Sequence, residues 1–117
     1  HCTASGKMFM SSLSSTRRRS MIEALSLDAL TPNTYTDPDS LSREITTIRK
    51  EGFSLDKEEF HLGMVAIAVP VSDADGRFYA ALAVHGPTQR FSLESARASF
   101  AGLCEAAAHI TTILFED

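Results

Sequence analysis

No apolar run in the chain approaches the ~20 residues that a membrane-spanning helix needs, and no signal-peptide pattern opens it. Those absences make a soluble, cytoplasmic domain the simplest expectation. Cysteine is scarce: Cys2 and Cys104 stand far apart and neither sits in a close metal-ligand pair. A disulfide framework is therefore not indicated, and both read as reduced, part-buried small hydrophobes. Positive charge is also short, with 11 Lys and Arg against 15 Asp and Glu, a formal net charge of −4 and a pI of about 5.5. A nucleic-acid binder would carry the opposite footprint, so any DNA contact belongs to another part of the protein.

The signatures of catalysis are missing as well. Ser5, Asp56 and His85 supply the residue types of a hydrolytic triad, but no strained nucleophile elbow surrounds Ser5. Asp56, Glu58, Glu59, His61 and His85 are metal-ligand types, yet no close histidine pair occurs, and the carboxylates and His61 fit an exposed loop equally well. Neither an enzyme nor a metal or other cofactor is expected.

What is present is enough apolar material for one domain: 117 residues, 44% hydrophobic and 22% charged. The chain is organised around Phe53 to His85. Two runs rich in β-branched and aromatic residues, Met64 to Val71 and Phe78 to Val84, flank the turn residues Asp73, Ala74, Asp75 and Gly76, which predicts a β-hairpin. With an even-numbered connection, Ala66 faces Ala83, Ala68 faces Ala81 and Met64 faces His85, all on one side of the sheet. The other side carries Val65, Ile67, Val69 and Val71 against Phe78, Leu82 and Val84. An alanine face means either that a helix packs close or that the missing volume is a pocket rimmed by Met64 and His85, and the pattern does not choose.

Around the hairpin the chain reads as helices. Thr3, Ala4, Ser5, Gly6 and Lys7 resemble a capped helix opening before Met8, Phe9, Met10 and Leu13. Backbone N–H groups at such an opening suit a carboxylate or phosphate, although a plain helix start explains the stretch too. Ser14 to Thr16 begin a second helix, and Arg17, Arg18 and Arg19 are expected on its solvent face. A loop from Leu27 leads to Asp37 as N-cap and Pro38 as first helical residue. Leu41, Ile45 and Ile48 then lay an amphipathic helix on the sheet until Gly52. Phe53, Ser54 and Leu55 predict a short strand ahead of an acidic loop, Asp56 to Glu59. A single long helix opened by Ser92, with Leu93, Ala96, Phe100, Leu103, Ala107, Ile110 and Leu114 as its stripe, is expected to cover the bulky face. The fold class is α+β. Two or three strands are few for an independent domain and the chain starts at His1 without a methionine, so further strands are expected upstream.

Three separated segments together resemble the C-terminal effector-binding domain of the IclR family of bacterial transcriptional regulators. HCTASGK at 1–7 is similar to the family's H-x-T-A-S-G-K opening. LTPNTYTDPDSLSREITTIRKEGFSLDKEEFHLGMVAIAVPV at 30–71 carries its L-T-P-x-T-x-T-D, R-x-x-G and D-x-E-E-x-x-x-G runs in order, and DADGRFYAALAVHGPTQRFS at 73–92 its D-x-x-G, A-A-L-x-V-x-G-P and R segments. The resemblance implies a GAF-like fold whose first strands precede His1, with a DNA-binding winged helix-turn-helix domain further upstream and absent from this chain. It implies a small-molecule effector, usually a carboxylic acid, and a homodimer or homotetramer that touches DNA only through that other domain.

The resemblance also shifts the alanine face toward a pocket. Its site residues fall on Ala4, Ser5 and Gly6, whose N–H groups would hold the carboxylate, and on Asp56, which would accept a hydrogen bond. Met64, Ala66, Ala83 and His85 would come from the strands, with Phe9 and Leu62 as further apolar walls. Members that bind small keto acids tend to carry Ser or Cys where this chain has Ala66, Ala83 and His85. The expected effector is therefore a larger, aromatic or aliphatic acid. A rival expectation is a GAF-like oligomerisation module with no ligand, its alanine face filled by packed side chains.

Overall fold

The computed structural model describes residues 1–115. Five helices and three strands follow one another as α1 (Ala4–Ser12), α2 (Ser15–Ala24), α3 (Pro38–Glu51), β1 (Ser54–Lys57), β2 (Met64–Ser72), β3 (Phe78–Pro87), α4 (Leu93–Ala98) and α5 (Phe100–Phe115). The sheet is antiparallel with order β1-β2-β3.

The helix signals act where the sequence places them. Thr3 accepts from the Gly6 N–H, Ser14 from Arg17 and Asp37 from Ser40, each satisfying one of the donors that a helix start leaves free. Gly52, in the left-handed region at φ 83°, ends α3 as the residue type that adopts it without a Cβ penalty.

The hairpin register differs from the expected one by two residues. Ala66 pairs with His85, Ala68 with Ala83, and Met64 with Pro87. Two local features cause the shift. The turn runs from Asp73 to Arg77, closed by the Asp73 N–H to Arg77 carbonyl bond of 2.7 Å, with Asp73 Oδ1 accepting from Asp75 and Arg77 and Gly76 at φ 82°. A β-bulge then leaves Tyr79 without a partner between the Ser72–Phe78 and Val71–Ala80 pairs. A shift of two keeps the later residues on their expected faces, because side chains alternate with period two. The bulge nevertheless moves Phe78 from the bulky face to the alanine face, where it packs with Ala81 and Ala83 against the first core.

Helices cover both faces. On the alanine face α1 lies against the sheet, and Ala4, Met8, Ala66 and Ala68 are all buried. This close approach is what the small side chains permit. The amphipathic α3 was expected on the sheet; it packs chiefly on α1 instead, and Leu41, Ile45 and Ile48 reach the same core from behind it. On the other face Ile67, Val69 and Val71 meet Ala96, Leu103 and Ala107, as the long apolar stripe predicts. That stripe is divided between two helices: Ser99 interrupts them, its hydroxyl turned back onto the Ser95 carbonyl at 3.0 Å. The expected strand at 53–55 is observed at Ser54–Lys57, so Asp56 and Lys57 belong to β1 and not to the loop.

Candidate functional site

The pairing of β2 with both neighbours draws Asp56, Ala66 and His85 into a single row, since Asp56 is the partner of Ala66 on one side and His85 on the other. The next row is Ser54, Ala68 and Ala83. Both rows lie on the face that α1 covers, and Ala4 at the start of α1 is fully buried in the same core. Five of the eight expected site residues, Ala4, Asp56, Ala66, Ala83 and His85, are thus brought to one face by two strand pairings and one helix start. Met64 lies one row beyond, opposite Pro87 and half-buried.

Not every expected contact is free. The Gly6 N–H already donates to Thr3 Oγ1 at 2.9 Å, which leaves the Ala4 and Ser5 N–H groups without a partner among the described residues. Gly6 is needed there on its own account, because a Cβ would stand 2.9 Å from Thr3 Oγ1. Ala66 and Ala68 are sealed beneath α1, whereas Ala83 is half-buried and His85 exposed. The open part of the alanine face is therefore its β3 side. Phe9 turns toward the hairpin turn and meets Phe78 with ring centroids 5.9 Å apart. Leu62 sits in the 58–63 connection, 55% exposed.

The connection after β1 is not the solvated acidic loop that its composition predicts. Asp56 and Glu59 are buried, and Asp56 Oδ1 accepts the Glu59 N–H at 2.7 Å. Glu59 is held from three sides. Its Oε2 accepts from Lys7 Nζ at 2.8 Å and from the Lys57 N–H at 3.0 Å, while its carbonyl accepts from Thr34 Oγ1. Lys7, with no exposed surface, also donates to Glu44 Oε2 at 2.8 Å and the Leu55 carbonyl at 2.7 Å, and lies 5.2 Å from the Tyr35 ring centre.

Taking an ammonium out of water costs several kcal/mol, which only such complete pairing offsets. Burial pushes the Glu59 carboxyl above its usual range, with the Lys7 charge, its hydrogen bond and the Lys57 N–H pulling the other way. Burial, followed by the negative charges of Glu44 and Glu59, pushes the Tyr35 hydroxyl up to about 12.

Residue-type reasoning passed over Lys7, Thr31, Thr34, Tyr35, Glu44 and Glu59 as a unit. One signal was available: Ala4, Lys7, Met8 and Ser11 fall at i, i+3, i+4 and i+7, so a lysine occupies the buried stripe of α1. A lysine there must meet acidic partners.

The triad and metal readings find no support in the geometry. Ser5, Asp56 and His85 share no hydrogen bond, and no group of three or more His, Cys, Asp or Glu among the described residues could hold a metal ion. Among the described residues, no helix is long and apolar enough to cross a membrane.

The fold is a three-stranded antiparallel sheet covered by helices on both faces, and comparison with known proteins identifies the lineage. Residues 1–112 match the family model for the C-terminal domain of the bacterial transcriptional regulator IclR, and the chain belongs to that family. The family is one of transcriptional regulators, not enzymes. The chain is 35% identical over 94 residues to a probable transcriptional regulator, SauR, of Cupriavidus necator, covering 80% of this chain and 37% of that protein. It is 38% identical over 90 residues to the p-hydroxybenzoate hydroxylase transcriptional activator of Acinetobacter baylyi, covering 77% of this chain and 33% of that protein. Among solved structures, the inducer-binding domain of a PobR double mutant from Acinetobacter, in complex with 3-hydroxybenzoic acid, superposes with a TM-score of 0.92 at 31% identity. The match covers 97% of this chain and 66% of that one. The chain thus spans only about a third of the length of the two regulators it matches by sequence.

Proposed function

We propose that this chain is the effector-sensing part of a bacterial transcriptional regulator and that its effector is a small carboxylic acid bound on the β3 side of the alanine face. The observation that carries the reading is the Asp56–Ala66–His85 row beneath a helix start whose Ala4 and Ser5 N–H groups have no partner among the described residues. Two N–H groups and the positive end of α1 suit the carboxylate. Asp56 accepts a hydrogen bond from a hydroxyl of the ligand, His85 offers a ring nitrogen at the rim, and Met64 and Ala83 supply apolar wall. Two of the strand positions carry methyl groups and not polar atoms, which favours a larger aromatic or aliphatic acid over a short keto acid. The 3-hydroxybenzoic acid bound by the PobR domain is of that kind.

The effector changes transcription through a difference in its affinity for two arrangements of subunits in a homo-oligomer, since a ligand shifts an equilibrium only by differential binding. DNA is held by another domain of the regulator, in keeping with the acidic charge of this chain.

A second reading, an oligomerisation module without a ligand, draws on the complete burial of Ala66 and Ala68 under α1. A thermal-shift screen against acetate, pyruvate, succinate, benzoate and 3-hydroxybenzoate separates the two. An acid present at ~100 times its Kd stabilises the fold by ~2.7 kcal/mol, and Ala83→Phe abolishes that gain by filling the open side. A well-folded chain that none of the five acids stabilises overturns the sensor reading and favours the module.

A further inference from the structure

Two of the three stretches through which the chain resembles its family, 1–7 and 30–71, meet at one buried polar cluster. Lys7 comes from the helix opening, Thr31 and Thr34 from the loop before α3, and Asp56 and Glu59 from β1 and the connection that follows it. Only Asp56 belongs to the proposed effector row. The others stand behind it, yet each is joined to it by a short chain of hydrogen bonds.

From Asp56 Oδ1 the path runs through the Glu59 N–H at 2.7 Å to the Glu59 carboxylate, and from there to Lys7 at 2.8 Å on α1. Lys7 continues to Glu44 on α3 at 2.8 Å. A branch leaves the Glu58 and Glu59 carbonyls for the Thr31 and Thr34 hydroxyls, with Thr31 Oγ1 2.6 Å from the Glu58 carbonyl. Glu59 Oε1 is buried without a partner, so the cluster is not fully satisfied as it stands.

We propose that Lys7 and Glu59 are positioning residues of the effector site, which set the Asp56 carboxylate and the start of α1 relative to each other and pass occupancy of the site to the 28–37 loop and α3. The proposal rests on the carboxylate-sensor reading above. Its physical basis is that Lys7, alone among the described residues, has a side chain bonded to α3, to β1 and to the connection that fixes Asp56, while itself lying on the helix whose start faces the ligand. Any displacement of α1 against β1 must therefore be accommodated by Glu44 and Glu59 together. Unmaking either bond inside a dry core is costly, so such a cluster favours discrete arrangements over a continuum.

The test uses the full chain and, as probe, the acid among the five named above that stabilises it most. Lys7→Met removes the ammonium alone and risks the fold, because Glu59 is left buried and unpaired. Lys7→Met combined with Glu59→Leu replaces the pair by apolar groups of similar size and is the informative variant. It is expected to unfold cooperatively while binding the probe at least ten-fold more weakly by calorimetry. In the unaltered chain the probe is expected to slow amide hydrogen exchange across 28–37 and the first turns of α3, and in the double variant to leave it unchanged.

A folded double variant that binds the probe with unaltered affinity, or that transmits the same protection to the loop, overturns the proposal and leaves the cluster a purely structural ion pair. If the double variant does not unfold cooperatively, Glu59→Gln, which keeps an acceptor for Lys7, carries the same two readouts with an expected three-fold or greater loss of affinity. Unaltered affinity there overturns the proposal too. If no acid of the panel binds the unaltered chain, the sensor reading itself fails and the proposal falls with it.

Discussion

Asp56 and His85 stand on opposite sides of Ala66 in one row across the sheet, so an acceptor from β1 and an imidazole from β3 are separated by a single methyl group. The small residue between them lets α1 close over the row: Ala66 is fully buried and Asp56 nearly so, while His85 stays exposed at the β3 end.

His85 is exposed on a strand that, among the described residues, is paired on one side only, so its removal should be felt by the proposed effector and not by the fold. His85→Ala is expected to weaken effector binding by about the worth of one hydrogen bond, ~0.5–1.5 kcal/mol, with an unchanged urea midpoint in the absence of ligand. Calorimetric titration beside a denaturation curve checks both halves.

Ala68 offers the opposite case. It is fully buried beneath α1, in the row that holds Ala83. Ala68→Leu has no space to occupy unless α1 lifts, and should lower the unfolding free energy by ~1–3 kcal/mol. Equilibrium denaturation measures it; an unchanged midpoint would show that α1 is not tightly seated.

Thr3 caps α1 through its hydroxyl, and Gly6 leaves the room for that bond. Thr3→Ala is expected to cost ~1 kcal/mol, as the loss of an N-cap does. Gly6→Ala should cost a similar amount, because its Cβ meets Thr3 Oγ1. The double variant should then cost less than the two singles added together, since both remove the same bond.

Tyr35 should titrate at about 12, raised by burial and by the charges of Glu44 and Glu59. In the unfolded chain a tyrosine loses its proton near ~10. The folded state therefore holds the proton more tightly, and the stability linked to it is present below pH ~10 and is lost as the pH rises toward about 12. Absorbance titration of Tyr79→Phe, which leaves Tyr35 as the only tyrosine, reads the folded value directly.

Much of this architecture follows from local chemistry. Caps at Thr3, Ser14 and Asp37, the left-handed stop at Gly52, and the period-two alternation of Met64 to Val71 depend on neighbours a few residues away, so the sequence by itself determines those elements and the two faces of β2. The candidate site residues were legible only through the pattern shared with the family, since an alanine face by itself points to close packing more readily than to a pocket.

Other features required the folded chain. The register depends on a bulge at Tyr79 that no residue type announces, and that bulge alone carries Phe78 to the alanine face. Whether the alanines meet a helix or a cavity is a matter of where α1 docks: it closes over Ala66 and Ala68 and leaves the side of Ala83 and His85 open. The burial of Lys7 and Glu59, which lie 52 positions apart in sequence, was likewise decided in three dimensions. A charge leaves water only when partners from distant segments arrive together, and that convergence is a property of the tertiary structure.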